Sequence, residues 1–222
     1  MHFAYVFFNP WVLLYQRGKF INLIREFLFV KIVDEIINKY QTNNGLYIGE
    51  KVTMSEHMIQ SAMLAEQNHS SKSLICACLL HDYGHFIIDD PDFLVSKSLD
   101  GKHEDMGFDF LKDYFKPEVI EPIKLHVQAK RYLCRNKSYY EILSDPSKIS
   151  LKLQGGVMND EEARKFISLK FYKDAIILRK YDDDGKIPNI KMKKIDDYRN
   201  LITSQLINEN DHNRIISKTI LP

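Results

Sequence analysis

The stretch LLHDYGHF, Leu79 to Phe86, closes an apolar run with adjacent His81 and Asp82 and sets a second histidine, His85, four places after the first. A neighbouring imidazole and carboxylate can serve two cations at once, the histidine holding one and the aspartate bridging to the other. Two metals bridged in this way form a recurring catalytic arrangement. Such a pair can hydrolyse a phosphate ester, use molecular oxygen, or only tie helices together.

Other residues extend the pattern. Five of the eight histidines, His57, His81, His85, His103 and His126, fall where a cavity-facing residue is expected. Helical geometry puts His81 and His85 on one face, one turn apart, and gives His126 and Lys130 the same relation. Taken singly, a histidine on an apolar helix is more often a satisfied core residue than a ligand. His103, in GKHEDMG, fits a surface loop or a helix start equally well. Together they suit iron, zinc or manganese. A further acidic run, YDDD from Tyr181 to Asp184, follows apolar AIIL, which can carry its first aspartate, Asp182, into the core. Most acidic runs are solvated turns, but Arg179, three residues earlier, is costly to bury without an anionic partner.

These residues need helices to position them. FINLIREFLFVKIVDEIINKY, from Phe20, spaces apolar residues at helical intervals, and QTNNGLYIGE is a loop. Thr53 or Ser55 can cap TMSEHMIQSAMLAEQN, with Glu56 as the early negative charge. A third helix starts within Ser70 to Ser73 and runs through LICACLLHD. Pro91 and Gly101 bracket a loop, and KHEDMGFDFLKDYF and EVIEPIKLHVQAKRYL read as two further helices. PSKISLKLQGG ends in a Gly-Gly stop, and DEEARKFISL and KDAIILRKYDDDGKIP continue the helical pattern. Strand signals are scarce. The expectation is an all-α protein, one helical bundle around a buried di-metal site, with 1–40 an apolar helical extension, 41–190 the domain and 191–222 a polar helical tail.

The 222 residues suffice for one well-buried domain. At 45% hydrophobic, 27% charged and net charge +1, the chain lacks the basic field that nucleic acid or an acidic membrane would call for. Cys76 and Cys78 lie within an apolar helix as small hydrophobes, and with Cys134 they make an odd count that fits a reducing, cytoplasmic setting. HFAYVFFNPWVLLYQ near the start is too short and interrupted for a membrane span and lacks the marks of a signal peptide. An organelle-directed leader, a packing extension and no function at all stay open for it.

An H…HD…D series is the signature of the HD superfamily, helical metal-dependent domains that are mainly phosphohydrolases. The surrounding text resembles a narrower branch, the mixed-valent di-iron oxygenases that cleave the carbon–phosphorus bond of 1-hydroxyphosphonates and are related to myo-inositol oxygenase. The shared segments are YIGE…SEH…Q.A.LAE, LLHDYGH, HE..G..FL, LHV.AKRYLC, LS.PS..SL.LQGG and LR.YDD..K.P, in order from roughly Leu46 to Pro188. Tyr181 stands where tryptophan is common, and the first forty-odd residues fall outside the likeness.

The resemblance implies that His57, His81 and Asp182 bind one iron, that Asp82 bridges, and that His103 and His126 complete the second. It implies that Tyr47 sits on the second iron until substrate arrives, and that Glu50 receives the substrate's amino or ammonium group. His85, Lys130, Ser147 and Arg179 then line the phosphonate pocket. The charges agree: Lys130 and Arg179 would repel each other without a shared anion, and a guanidinium matches phosphonate oxygens in a fork. The implied reaction uses O2 to turn a zwitterionic 1-hydroxy-(amino or ammonio)alkylphosphonate into a carboxylic acid, such as glycine, and inorganic phosphate. A 2-oxoglutarate-dependent hydroxylase would act before it. The rivals are an HD phosphohydrolase acting on a nucleotide or small phosphomonoester, a degenerate ligand-binding module, and an oxygenase of a polyol or another zwitterion.

Overall fold

The computed structural model describes residues 28–47, 49–87 and 102–207; the expected loop around Pro91 and most of the N-terminal extension lie outside them. Helix α1 (28–42) buries Ile32, Val33, Ile36, Ile37 and Tyr40, one stripe at helical spacing. Next come α2 (Met54–Gln67), α3 (Lys72–Leu80), a 3-10 turn (Tyr83–Phe86) and α4 (His103–Leu111). They are followed by α5 (Pro117–Leu133), α6 (Lys137–Ile142), α7 (Asp145–Leu153), α8 (Asp160–Ile167) and α9 (Tyr172–Asp184). A second 3-10 turn (Ile195–Tyr198) leads into α10 (Arg199–Ser204). Among the described residues the only β pairing is two isolated bridges, Leu46 with Thr53 and Phe115 with Leu206. The fold is all-α, as expected.

Local chemistry sets the boundaries. Thr53 accepts from the Glu56 backbone N–H, and the Glu56 carboxylate accepts from Thr53 N at 2.7 Å, a reciprocal cap for α2. Ser71 caps α3, and Pro117 begins α5, where its missing N–H does no harm. Past α7, Gly155 and Gly156 take φ of +95° and +71°, which realises the Gly-Gly stop.

Helix α3 is buried from Leu74 to Leu80 and packs against α2, α5 and α9. That explains its unbroken apolar run, in which Cys76 and Cys78 serve as core residues with thiol pKa values pushed up by burial. The main core also takes Ile32 to Tyr40 from α1 and Ile195, Tyr198, Ile202 and Leu206 from the C-terminal turn. The packed body thus extends past the expected 41–190 limits on both sides. Two smaller clusters sit apart: Leu125, Ala129, Met158, Phe166 and Ala175, and then Cys134, Leu143 and Leu151 beneath α6 and α7.

One local expectation fails. His81 and His85 do not share a helical face, because α3 ends at Leu80 and the chain tightens into the 3-10 turn. The turn sends the His81 ring toward α2 and stacks the His85 ring on His103, with centroids 4.2 Å apart. Gly84 makes this possible. A Cβ there would lie 1.9 Å from the His103 carbonyl oxygen, so only glycine lets the start of α4 come so close. Gly107, one turn into α4, faces it, its own Cβ position 3.2 Å from Gly84 N.

Candidate active site

Six of the proposed ligands form two groups of three, His57 with His81 and Asp182, and Asp82 with His103 and His126, every member buried. They come from α2, the end of α3, α4, α5 and α9. Three of the imidazoles are oriented by backbone carbonyls: His57 Nδ1 donates to Gly185 O at 3.0 Å, His81 Nδ1 to Cys78 O at 2.8 Å, and His126 Nδ1 to Ile123 O at 2.6 Å. A carbonyl can only accept, so these Nδ1 atoms carry the hydrogens and the Nε2 atoms present lone pairs inward. The lone pairs converge: His57 Nε2 lies 3.1 Å from His81 Nε2, and His103 Nε2 lies 3.0 Å from His126 Nε2.

Asp82 joins the groups. Its Oδ1 is 3.2 Å from His103 Nε2 and 3.5 Å from His126 Nε2, while Oδ2 is 3.6 Å from His57 Nε2 and 3.5 Å from His81 Nε2. Asp182 Oδ1 lies 3.3 Å from His57 Nε2. Donor atoms that each stand about 2.1 Å from a shared cation lie about 3 Å apart, so the spacing is that of ligands around two ions. Asp82 Oδ2 and Asp182 Oδ1 are buried without a hydrogen-bond partner, which a native core rarely tolerates unless a cation completes them. The residues fit a pair of metal ions bridged by Asp82.

Protonation tells the same story without a cation. Burial lowers every one of these imidazoles, but the facing carboxylates of Asp182 and then Asp82 lift His57 to about 9, and Asp82 raises His126. Burial prevails at His81, pushed down to about 4, and at His103, pushed down to about 3. Burial opposes ionisation of Asp82 and Asp182, yet the ring of imidazoles around Asp82, and Arg179 with His57 beside Asp182, hold both well below the usual carboxylate range.

The expected substrate residues gather beside this centre. Arg179 is buried, donates from Nη1 to Asp182 Oδ2 at 2.6 Å and from Nη2 to Asp183, and keeps its Nε buried and unpaired. Lys130 is buried too and donates to Ser150 Oγ at 2.9 Å; desolvation, and then Arg179, push its pKa down to about 7. Glu50 accepts from Ser144 Oγ at 2.9 Å, and Ser144 Oγ lies 3.1 Å from Ser147 Oγ. Tyr47 stacks on His57, with centroids 4.3 Å apart and planes 9° from parallel. Burial, then the fields of Asp82 and Asp182, raises its phenol well above its ordinary pKa. The resemblance implies a place on the second metal for Tyr47, whereas this ring contact ties it to a ligand of the first group.

Sequence reasoning missed several neighbours. Lys186 reaches Glu50, Ser147 and Asp182; it lies four residues past Asp182, a spacing that could have drawn attention to it. Asp183, dismissed within its acidic run, grips Arg179 and accepts from the Tyr139 hydroxyl. Gly185 lets α9 meet α2, since a Cβ there would fall 2.6 Å from Ser61 Oγ and 3.1 Å from His57 O.

The family model described as HD domain matches residues 54–164, and the chain belongs to the HD-domain family. Two of its similar curated proteins are phosphonate dioxygenases. It is 38% identical to hydroxymethylphosphonate dioxygenase of Gimesia maris over 179 residues, 78% of this chain and 88% of that protein. It is 43% identical to the glycine-betaine-forming 1-hydroxy-2-(trimethylamino)ethylphosphonate dioxygenase of Leisingera caerulea over 141 residues, 63% of this chain and 72% of that protein. An uncharacterized protein of Acanthamoeba polyphaga mimivirus is 38% identical over 181 residues, 80% of this chain and 83% of that protein.

Proposed function

We propose that the protein is an O2-dependent oxidoreductase that cleaves the carbon–phosphorus bond of a 1-hydroxyalkylphosphonate, releasing a carboxylic acid and inorganic phosphate. The observation that carries this reading is the placement of two buried cations, Lys130 and Arg179, against the paired ligand groups. The dioxygenase relatives supply the reaction class. His57, His81 and Asp182 would hold one iron, His103 and His126 the other, with Asp82 between. The absence of thiolate from the ligand sets suits iron in this role. A mixed-valent iron pair would supply the redox chemistry on O2 and on the carbon bearing phosphorus.

The chain's own residues bind, orient and shield. Arg179, with its unpaired buried Nε, and Lys130 would meet the phosphonate oxygens, and His85, stacked on His103, and Ser147, beside Ser144, would add shorter donors. Asp183 and Tyr139 brace the guanidinium, so orientation is set before substrate arrives. A substrate anion relieves the repulsion between Lys130 and Arg179 and returns the Lys130 proton. The burial of the ligands keeps bulk water from the reacting centre. Tyr47 stacks on the His57 ring and lines that side of the site. A hydroxylase that installs the 1-hydroxyl would precede it.

The test is phosphate release from a panel of 1-hydroxyphosphonates, with and without oxygen, after anaerobic reconstitution with iron. Release that requires O2, with an electron paramagnetic resonance signal of a mixed-valent pair that responds to phosphonate, is expected. Release of phosphate from phosphate esters without oxygen uptake would make the protein a hydrolase instead. A His85→Ala variant should keep its metals and bind phosphonate more weakly.

A further inference from the structure

Lys186 stands just past α9, beyond the Gly185 contact with α2. Its Nζ lies 3.3 Å from Ser147 Oγ, 3.8 Å from Glu50 Oε1, 4.0 Å from Asp182 Oδ1 and 5.4 Å from the centroid of the Tyr47 ring. Its side chain is 10% exposed and that of Glu50 is 15% exposed. The other two cations are engaged elsewhere, Lys130 with Ser150 and Arg179 with Asp182 and Asp183. The ammonium that faces Glu50 is therefore Lys186.

Glu50 and Tyr47 together make a receptor for a cation, a carboxylate for charge and an aromatic face for a soft ammonium. Lys186 already supplies such an ammonium to both. A largely desolvated carboxylate left without a counter-cation beside a phosphonate dianion would weaken binding of that dianion. The substrates named for the two dioxygenase relatives differ in this respect: hydroxymethylphosphonate has no cationic group, and the trimethylamino compound carries a permanent one.

We propose that Lys186 is the resident counter-cation of Glu50 and sets which phosphonates the pocket accepts. With a nitrogen-free hydroxyalkylphosphonate, Lys186 stays on Glu50 and neutralises it. With an ammonio-phosphonate, the substrate's cation takes Glu50 and the Tyr47 face, and Lys186 is left to Ser147, at the phosphonate end. The inference rests on the phosphonate-oxygenase reading and adds the residue that decides between its two substrate classes.

The test compares hydroxymethylphosphonate with 1-hydroxy-2-(trimethylamino)ethylphosphonate on the metal-loaded full chain. Calorimetry under anaerobic conditions gives Kd, and phosphate release in oxygen gives kcat/KM. In Lys186→Met, hydroxymethylphosphonate should bind roughly tenfold more weakly or worse, while the trimethylamino compound holds or tightens, so the preference shifts by at least that factor. Lys186→Arg should restore the wild-type preference. The double variant with Glu50→Gln should regain the nitrogen-free ligand, since no carboxylate is left to neutralise, and should lose the cationic one. Should Lys186→Met fail to fold or load metal, Glu50→Gln alone decides, and it must weaken the cationic ligand selectively. Equal weakening of both ligands, or an unmoved preference, overturns the inference while the wild-type activity keeps the oxygenase reading intact. A wild-type protein that binds neither of these phosphonates overturns the inference, and one that also releases no phosphate from the whole 1-hydroxyphosphonate panel in oxygen removes the oxygenase reading with it.

Discussion

The two ends of the site are built differently. The proposed metal end is set by the main core: its candidate ligands hang from α2, the end of α3, α4, α5 and α9, and all are buried. Beyond Lys130 and Arg179, which the core helices α5 and α9 carry, the proposed substrate end leans on thinner structure. Tyr47 and Glu50 ride on the loop before α2, Ser144 and Ser147 start α7, and Tyr139 comes from α6, which buries no residue of its own. The small cluster of Cys134, Leu143 and Leu151 supports that flank. A metal pair tolerates little error in ligand position, so it is held by dense packing that resists change. A pocket wall held by a few polar contacts can be altered without unfolding the protein, and specificity can change there.

The largest effects should fall at the metal end. Gly84→Ala forces a methyl into the His103 carbonyl, and it should destabilise by about 3 kcal/mol or more and lose cations from the His103 and His126 group. Gly156→Ala is the contrast: its φ is +71° with nothing within 4 Å, so only backbone strain of about 1 kcal/mol is expected, with metal content intact. Thermal unfolding and metal analysis would check both, and equal losses would dissolve the distinction between packing and conformation. Asp82→Asn should lower phosphate release roughly a thousandfold or more, with metal content falling in both groups, because each carboxylate oxygen faces one of them. Loss of a single ion would show that Asp82 serves one group.

The same contrast governs what could be read from the sequence. The all-α class was legible in helical periodicity, and the histidines and aspartates stood out by residue type, but their division into two groups came only with the family resemblance and with the fold that gathers them. The glycines within LLHDYGH and HE..G..FL were visible, but their task was not: a Cβ clash between Gly84 and His103 exists only once two separated segments meet. The His81–His85 relation misled for a local reason, since a 3-10 turn replaces the helix and no residue type announces it. Lys186 and Asp183 stand within LR.YDD..K.P, but a charged run reads as a solvated turn until the contacts of its side chains are seen. Neither C-terminal packing nor α6 carries a strong periodic signal, so Ile195, Tyr198 and Tyr139 surface only through their contacts.

At the substrate end the effects should be smaller and should spare the metals. Asp183→Asn removes one brace from Arg179 without touching a ligand atom. KM for phosphonate should rise roughly tenfold, with metal content and Tm close to wild type. A loss of metal instead would mean that Arg179 and Asp183 chiefly hold Asp182, and would move them to the other side of the comparison.

The mildest effect concerns Lys130. Burial and Arg179 push its pKa down to about 7, so the free protein loses this positive charge as pH rises through that value. A bound phosphonate dianion favours the ammonium and raises the pKa, so binding takes up part of a proton above pH 7. Affinity should then weaken with rising pH, by at most about tenfold per unit, until the pKa of the complex is reached. The substrate's own second ionisation works in the opposite sense and is subtracted by titrating the phosphonate alone. Calorimetry in buffers of different ionisation heat reads the proton directly. Lys130→Arg keeps its charge throughout, so it should abolish the uptake and flatten the alkaline limb even if the fit to the phosphonate loosens. Uptake that persists in Lys130→Arg would assign the proton to another group and leave Lys130 a spectator at this end of the site.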